Sequence, residues 1–255
     1  MSQPLINDRN VQGPALASAL DSRLRLLHDL GSRLAVVRSA VQGPVAFSTS
    51  LGLEDQAILC AIAQAAPGTD VFMLDTGRHF PETLETLDQS ERRFGLRIRV
   101  IAPDAKDLEE LIARDGVFGF RLSIEGRKAC CDVRKVRPLR RALDGAAAWI
   151  TGLRREQSAG RAAVPFASWD PDHRLVKINP LADWSLERLE AYITANDVPV
   201  NPLHSRGFSS IGCQPCTRAV LPGEDARAGR WWWELEDGKE CGLHSPRRPR
   251  AEAAA

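Results

Sequence analysis

Six cysteines punctuate this 255-residue chain, and five of them stand at spacings that packing alone would not demand. Cys130 and Cys131 are adjacent, Cys213 and Cys216 are separated by Gln-Pro, and Cys241 precedes His244 by three residues. A two-residue gap lets both thiolates of a turn reach one metal centre, so Cys213 and Cys216 read as a ligand pair. The tandem pair completes a set of four sulfurs. Zinc would accept four thiolates, but its paired ligands usually stand two to four residues apart, which favours an iron–sulfur cluster where two are adjacent. Neighbouring side chains diverge on a helix, so Cys130 and Cys131 serve one centre if a helix begins there; the plainer alternative is a solvated basic helix face over two buried thiols. The stretch 127–141 around them holds seven basic residues and one acid. Such a field suits an anionic cluster with a sulfate or phosphate ester beside it.

A thiol three residues before an imidazole shares a face with it on a helical turn, where a cation draws it towards the reactive thiolate. Against that, a lone cysteine in a tail is commonly idle. Arg227 and Arg230 stand at helical spacing and could grip an anion together. Trp231, Trp232 and Trp233 cannot all face one core, so at least one should be exposed or cover a pocket. His28, His79, His173 and His204 show no metal spacing.

These groups need a scaffold. From Leu16 to Val41 apolar residues recur at steps of three and four (Leu20, Leu24, Leu27, Leu30, Leu34, Val37), the pattern of one amphipathic helix. Short apolar runs then alternate with helical stretches: 45–47, 71–74, 96–101, 147–150 and 175–178. The alternation predicts an α/β fold with a mostly parallel sheet covered on both faces. Three of the strands run into small polar loops, Ser48–Asp55, Asp75–Gly77 and Thr151–Arg155, which should converge on one crevice at the carboxyl edge of the sheet. In the first loop Ser48, Ser50 and Gly52 offer hydroxyls and backbone N–H groups to an anion, or simply a capped helix start. Ser185 reads as the cap of a late helix.

Residues 1–43 are expected to form an N-terminal helical segment, 44–204 an α/β domain with a ligand crevice, 205–245 a C-terminal arm, and 246–255 a disordered tail. Hydrophobic residues make up 44% of the chain and charged ones 26%, as in an ordinary soluble enzyme. Basic and acidic residues nearly cancel to +1, so no global field argues for nucleic acid or a membrane surface. The first residues lack a leader pattern and no run reaches the roughly 18 apolar residues of a span, so a cytoplasmic protein is expected. In a reducing compartment closely spaced cysteines are more often metal or redox groups than disulfides.

Taken together, Ser48-Thr-Ser-Leu-Gly52, Leu74-Asp-Thr-Gly77, Pro81-Glu-Thr83, Lys128-Ala-Cys-Cys131, Thr151-Gly-Leu-Arg-Arg-Glu-Gln-Ser158, Gly212-Cys-Gln-Pro-Cys-Thr217, Arg227-Ala-Gly-Arg-Trp-Trp-Trp-Glu234 and Lys239-Glu-Cys-Gly-Leu-His244 resemble the assimilatory adenylyl-sulfate reductases, the iron–sulfur branch of the phosphoadenylyl-sulfate reductase family. The resemblance implies an adenine nucleotide alpha-hydrolase-like fold and a 4Fe-4S cluster on Cys130, Cys131, Cys213 and Cys216. It implies Cys241 as nucleophile towards adenylyl sulfate, releasing AMP and leaving an S-sulfocysteine from which thioredoxin or a glutaredoxin frees sulfite. By position, Lys135, Arg227, Arg230 and His244 would hold the phosphosulfate. Leu74, Asp75, Thr76 and Gly77, with Arg154 and Arg155, would take the adenosine side. A homo-oligomer is compatible with this reading, and so is a substrate carrying a 3′-phosphate. The Ser48 loop lacks the double glycine and Asp-Ser of ATP-cleaving relatives, which argues against ATP pyrophosphatase activity. It argues equally against a rival reading as an iron–sulfur tRNA-thiolating enzyme, which also needs a broad basic surface. A zinc-stabilised binding module is the non-enzymatic alternative.

Overall fold

The computed structural model describes residues 9–234 together with Gly242 and Leu243. Six strands form one sheet: β1 (Val45–Thr49), β2 (Asp70–Leu74), β3 (Arg99–Ile101), β4 (Ala148–Ile150), β5 (Ala167–Asp170) and β6 (Leu175–Ile178). Their order is β3-β2-β1-β4-β6-β5. Every pairing is parallel except β5 with β6. The sequence pattern misses β5, a short edge strand with no apolar run of its own. It also reads β3 too long: the Ile98 N–H is drawn to Glu91 Oε1 (2.7 Å), so the chain is still turning back from a helix there.

Alternation along β1 divides the core. Val45 and Phe47 face a large apolar layer under α1 (Arg9–Arg25), α2 (Leu30–Ala40), α3 (Leu53–Ala65) and α8 (Leu186–Ala195), whereas Ala46 faces Leu139, Ala142 and Leu143 on and beside α7 (Arg137–Leu143). The sheet is therefore covered on both faces, as the alternation predicts. α4 (Pro81–Phe94) and α5 (Ala105–Asp115) complete the crossovers. α4 begins on Pro81 and ends on Gly95 at φ 63°, a left-handed position that glycine takes without strain.

The single helix expected over 16–41 is two. Leu26 and Leu27 close a tight turn onto Arg23 and Leu24, and Asp29 caps α2 by accepting from the Ser32 N–H (2.6 Å). The periodicity survives because Leu20, Leu24, Leu30, Leu34 and Val37 all stay buried against the sheet layer. Ser185 caps α8 as expected, accepting from Arg188 N at 3.1 Å. Among the described residues no helix is long and apolar enough to cross a membrane.

α6 (Ile124–Cys131), capped by Ser123, carries the tandem cysteines at its end and runs into a π-helical turn, Asp132–Val136, before α7. This corrects the expectation that a helix would begin at the pair. A π turn widens the helix where the two thiols and Lys135 emerge, and such turns gather at functional sites.

Candidate active site

The loops after β1, β2 and β4 leave neighbouring parallel strands on one edge of the sheet. In the first, Asp55 Oδ2 accepts from both the N–H and the hydroxyl of Ser50, each at 2.6 Å. Leu51 is forced to φ 60° with its side chain buried, a strained conformation held by the Leu51 N–H to Thr49 Oγ1 bond (3.0 Å). Ser48 Oγ accepts from Trp149 Nε1 at 2.8 Å. The third loop closes on the first. Arg154 Nε donates to Glu54 Oε1 at 2.9 Å, and a side chain at Gly152 would come within 2.3 Å of Asp55 Oδ1. Burial pushes the Asp55 carboxyl up to about 6 against the pull of the two Ser50 hydrogen bonds, with Glu54 adding a smaller push. In the second loop Asp75 Oδ1 accepts from the Gly77 N–H (2.8 Å), Gly77 sits at φ 66°, and His79 Nε2 lies 2.9 Å from Leu74 O.

Beside this crevice all four paired cysteines line one pocket, ringed by Arg78, Arg127, Arg134, Lys135 and Arg230 and walled by Phe120 and Trp231. None is in a disulfide. The second pair reaches the pocket on a short turn, Gln214–Cys216, pinned by Gln214 N–H to Arg78 O (2.8 Å) and Thr217 Oγ1 to Cys213 O (2.9 Å). The Cys213 thiol donates to Thr76 Oγ1 at 3.3 Å, so the pocket and the second crevice loop share Thr76. Trp231 N–H donates to Cys216 O at 3.1 Å, and Arg127 at the base of α6 is ion-paired with Glu234, both side chains buried. Gly212 has no room for a side chain, because a Cβ there would fall 2.0 Å from Arg230 Nη1.

The pocket polarises its thiols unequally. Burial raises Cys213, but Lys135, the Thr76 hydroxyl, Arg230 and Arg134 outweigh it and draw the thiol down towards thiolate. Burial and then the neighbouring Cys213 push Cys216 up to about 12, and burial lifts Cys130 despite Arg134 and Arg78. A metal centre would deprotonate all four, and the cations would then oppose a net negative group.

The structure thus brings together Cys130, Cys131, Cys213, Cys216, Lys135 and Arg230, and it sets Ser48, Ser50, Gly52, Asp75, Thr76 and Gly77 along the crevice. Arg154 is committed to Glu54 and Trp184 O, and Arg155 to Val164 O, so both guanidinium groups brace the loops. Arg227 and Arg230 are not on a helix: Arg227 lies in a turn with its N–H on Asp225 Oδ1 (2.8 Å), and Arg230 bridges Thr217. The three tryptophans divide as expected, Trp231 buried and Trp232 exposed. Cys241, His244 and the tail 246–255 lie outside the described residues. Their neighbour Leu243 packs on the apolar cluster of Phe72, Leu139 and Trp149, and a side chain on Gly242 would first meet Val136 Cγ2 at 4.0 Å. Sequence reasoning missed Asp55, Trp149, Arg78 and Arg134. The basic stretch 127–141 signalled Arg134, but only the π turn singles it out from its neighbours.

A parallel sheet whose crevice abuts a cation-ringed thiol pocket defines a class: an α/β protein of the nucleotide-binding kind, with sulfur chemistry at the edge of its crevice. Residues 44–219 match the phosphoadenosine phosphosulfate reductase domain, and the chain belongs to that family. It is 52% identical over 239 residues to the adenosine 5′-phosphosulfate reductase of Agrobacterium fabrum, covering 94% of this chain and 90% of the relative. To the adenosine 5′-phosphosulfate reductase of Allochromatium vinosum it is 50% identical over 214 residues, covering 82% and 84%. Among solved structures, phosphoadenylyl-sulfate reductase from Candida auris in a phosphate complex aligns with TM-score 0.68 at 25% identity, covering 86% of this chain and 99% of that one.

Proposed function

We propose that this enzyme reduces adenylyl sulfate to sulfite and AMP in sulfate assimilation, in the cytoplasm, with Cys241 as nucleophile and thioredoxin or a glutaredoxin as thiol donor. The observation that carries the reading is the single pocket in which the four paired cysteines stand among Arg134, Lys135 and Arg230, against the Thr76 loop of the crevice. The names of the relatives supply the substrate.

The residues fit a 4Fe-4S cluster. Four thiols outside any disulfide line the pocket, and buried Nε atoms of Arg134 and Arg230 have no hydrogen-bond partner among the described residues. They reach it from two elements, the end of α6 and the turn carrying Cys213 and Cys216. Tetrahedral zinc needs all its sulfurs about 2.3 Å from one centre, whereas a four-iron cluster takes each thiolate on its own iron. When bound, the cluster would supply a fixed anionic anchor around which Lys135 and the arginines are ordered.

The chain's own residues do the chemistry. Ser48, Ser50 and Gly52 would line the nucleotide's side of the crevice, in a loop shaped by the two Ser50 bonds to Asp55 and the strained Leu51. The 74–77 loop would receive the adenosine side, with Arg154 and Arg155 bracing the neighbouring loops through Glu54, Trp184 O and Val164 O. Lys135, Arg227, Arg230 and His244 would grip the phosphosulfate, where charge grows on the departing phosphate. The Cys241 thiolate attacks the sulfate sulfur. A sulfur–sulfur bond forms, the bridging sulfur–oxygen bond breaks, and AMP leaves with the electron pair. A donor thiolate then attacks Cys241 Sγ and displaces sulfite, and the donor's second thiol resolves the mixed disulfide. The sulfate sulfur gains two electrons as the donor dithiol becomes a disulfide. Support for Cys241 at this site comes from Leu243, two residues on, which packs on the same sheet face as Trp149, the donor to Ser48.

The test is product formation by the cluster-loaded protein with a thiol donor, offered adenylyl sulfate or its 3′-phosphorylated form. Equal amounts of sulfite and AMP from the first substrate support the reading. Turnover of only the 3′-phosphorylated compound would move the assignment to that substrate, and turnover of neither would overturn it.

A further inference from the structure

Arg134 is 5% exposed and sits in the π turn, three residues after Cys131. Its Nη1 donates to the backbone carbonyl of Thr76 at 2.6 Å, in the loop proposed to hold the adenosine side. A Cβ on Gly77 would stand in ordinary contact, 3.5 Å, with the same nitrogen, so the guanidinium lies alongside this loop. On its other side the guanidinium lies against the Cys130 thiol in the pocket wall. Its Nε–H is buried with no acceptor among the described residues. An unpaired buried donor on a cation is costly unless an acceptor occupies the space it faces. The sulfurs of a bound cluster are the acceptors that the pocket is built to receive.

We propose that Arg134 couples the two halves of the site, one edge of its guanidinium holding the nucleotide loop through Thr76 O and the other donating its Nε–H to the cluster. The inference rests on the cluster reading given under Proposed function. A planar five-donor group can hold both partners at once, and the single nitrogen of a lysine cannot. Nucleotide bound at the 74–77 loop fixes Thr76, Thr76 fixes Arg134, and Arg134 holds the cluster. Such coupling is reciprocal, so whatever factor the nucleotide adds to cluster retention the cluster adds to nucleotide affinity.

The test uses anaerobically purified, cluster-loaded full-length protein, with AMP as the probe. A ferrous chelator bleaches the visible thiolate-to-iron band, and the rate is compared with and without saturating AMP. In the unaltered protein AMP should slow bleaching at least about five-fold, the lower end of ordinary coupling energies. In Arg134→Lys and Arg134→Gln the protection should vanish, while thermal melting confirms a folded protein and calorimetry confirms that AMP still binds, more weakly. A merely structural arginine would alter melting and leave the AMP protection in place. A variant too poor in iron to bleach is read by its AMP affinity, which must be at least about five-fold weaker than that of the unaltered protein. Protection retained in both variants, or absent from the unaltered protein, would overturn the coupling. An unaltered protein that is colourless and iron-free would instead overturn the cluster reading, and the inference with it.

Discussion

Glu234 is the last described residue before the segment that leads to Cys241, and its buried ion pair with Arg127 fastens that segment to the helix bearing Cys130 and Cys131. Changing Glu234 to Gln keeps the shape and removes the charge. Arg127, whose side chain is 4% exposed, then loses the charge of this carboxylate. Removing one partner of such a pair costs about 3–5 kcal/mol. Arg127 also lies 4.5 Å from the centroid of the Trp231 ring, and a cation–π contact worth about 0.5–2 kcal/mol remains. The loss should therefore fall near the lower figure, about 3 kcal/mol, which in a chain of this size lowers the melting temperature by roughly 6–12 °C. The assay is denaturant unfolding of the cluster-loaded protein, alongside the double variant Arg127→Met/Glu234→Gln. Because the double variant removes both charges of the pair, it should recover to within about 1 kcal/mol of the parent. A single variant within about 1 kcal/mol of the parent, or a double variant worse than the single, would refute the argument.

Three further outcomes follow from the crevice. Burial raises the Asp55 carboxyl from the ordinary 3.8 to about 6 in the fold, so the folded state holds the extra proton and stability falls as pH rises between those values. The fall is on the order of 3 kcal/mol, and the difference in unfolding midpoint between the parent and Asp55→Asn, followed from pH 4 to 7.5, should show that slope removed in the variant. Trp149→Phe deletes the N–H that Ser48 Oγ accepts and leaves a smaller aromatic ring, so KM for adenylyl sulfate should rise a few-fold with kcat nearly unchanged. Combining it with Ser48→Ala should add almost nothing, as a double-mutant cycle in the kinetics would reveal. Gly152→Ala places a methyl 2.3 Å from Asp55 Oδ1 and should cost about 1–3 kcal/mol in unfolding, with weaker AMP binding by calorimetry.

The fold's crossovers and crevice were legible in the sequence because apolar alternation and polar strand-end loops are local signals. The convergence of the Ser48, Asp75 and Thr151 loops needed only the rule that parallel strands share a carboxyl edge. β5 escaped because a four-residue antiparallel edge strand draws its register from β6 rather than from a run of its own. The break between α1 and α2 hides under an unbroken apolar period, since the turn at 26–28 keeps both helices on the same sheet layer. The thiol set was readable as spacing, and the pocket brings it together. Arg227 and Arg230, read as a helical pair, instead share a tight turn in which the Arg230 N–H donates to Arg227 O (2.9 Å), because Arg230 is drawn into a bridge with Thr217 and against Gly212, contacts far apart in sequence. Arg154 was readable as a cation but not as one already answered by Glu54, 100 positions away.

The central claim is that a thiol near the end of the chain displaces AMP from an activated sulfate that the crevice and its cations hold. Intact-mass measurement of the cluster-loaded protein, incubated anaerobically with adenylyl sulfate and no thiol donor, tests it most directly. The account predicts one added SO3 per chain, mapped to Cys241, lost on later addition of thioredoxin and absent from Cys241→Ser. An unmodified mass from protein that binds the nucleotide, or an adduct on any other residue, would contradict it.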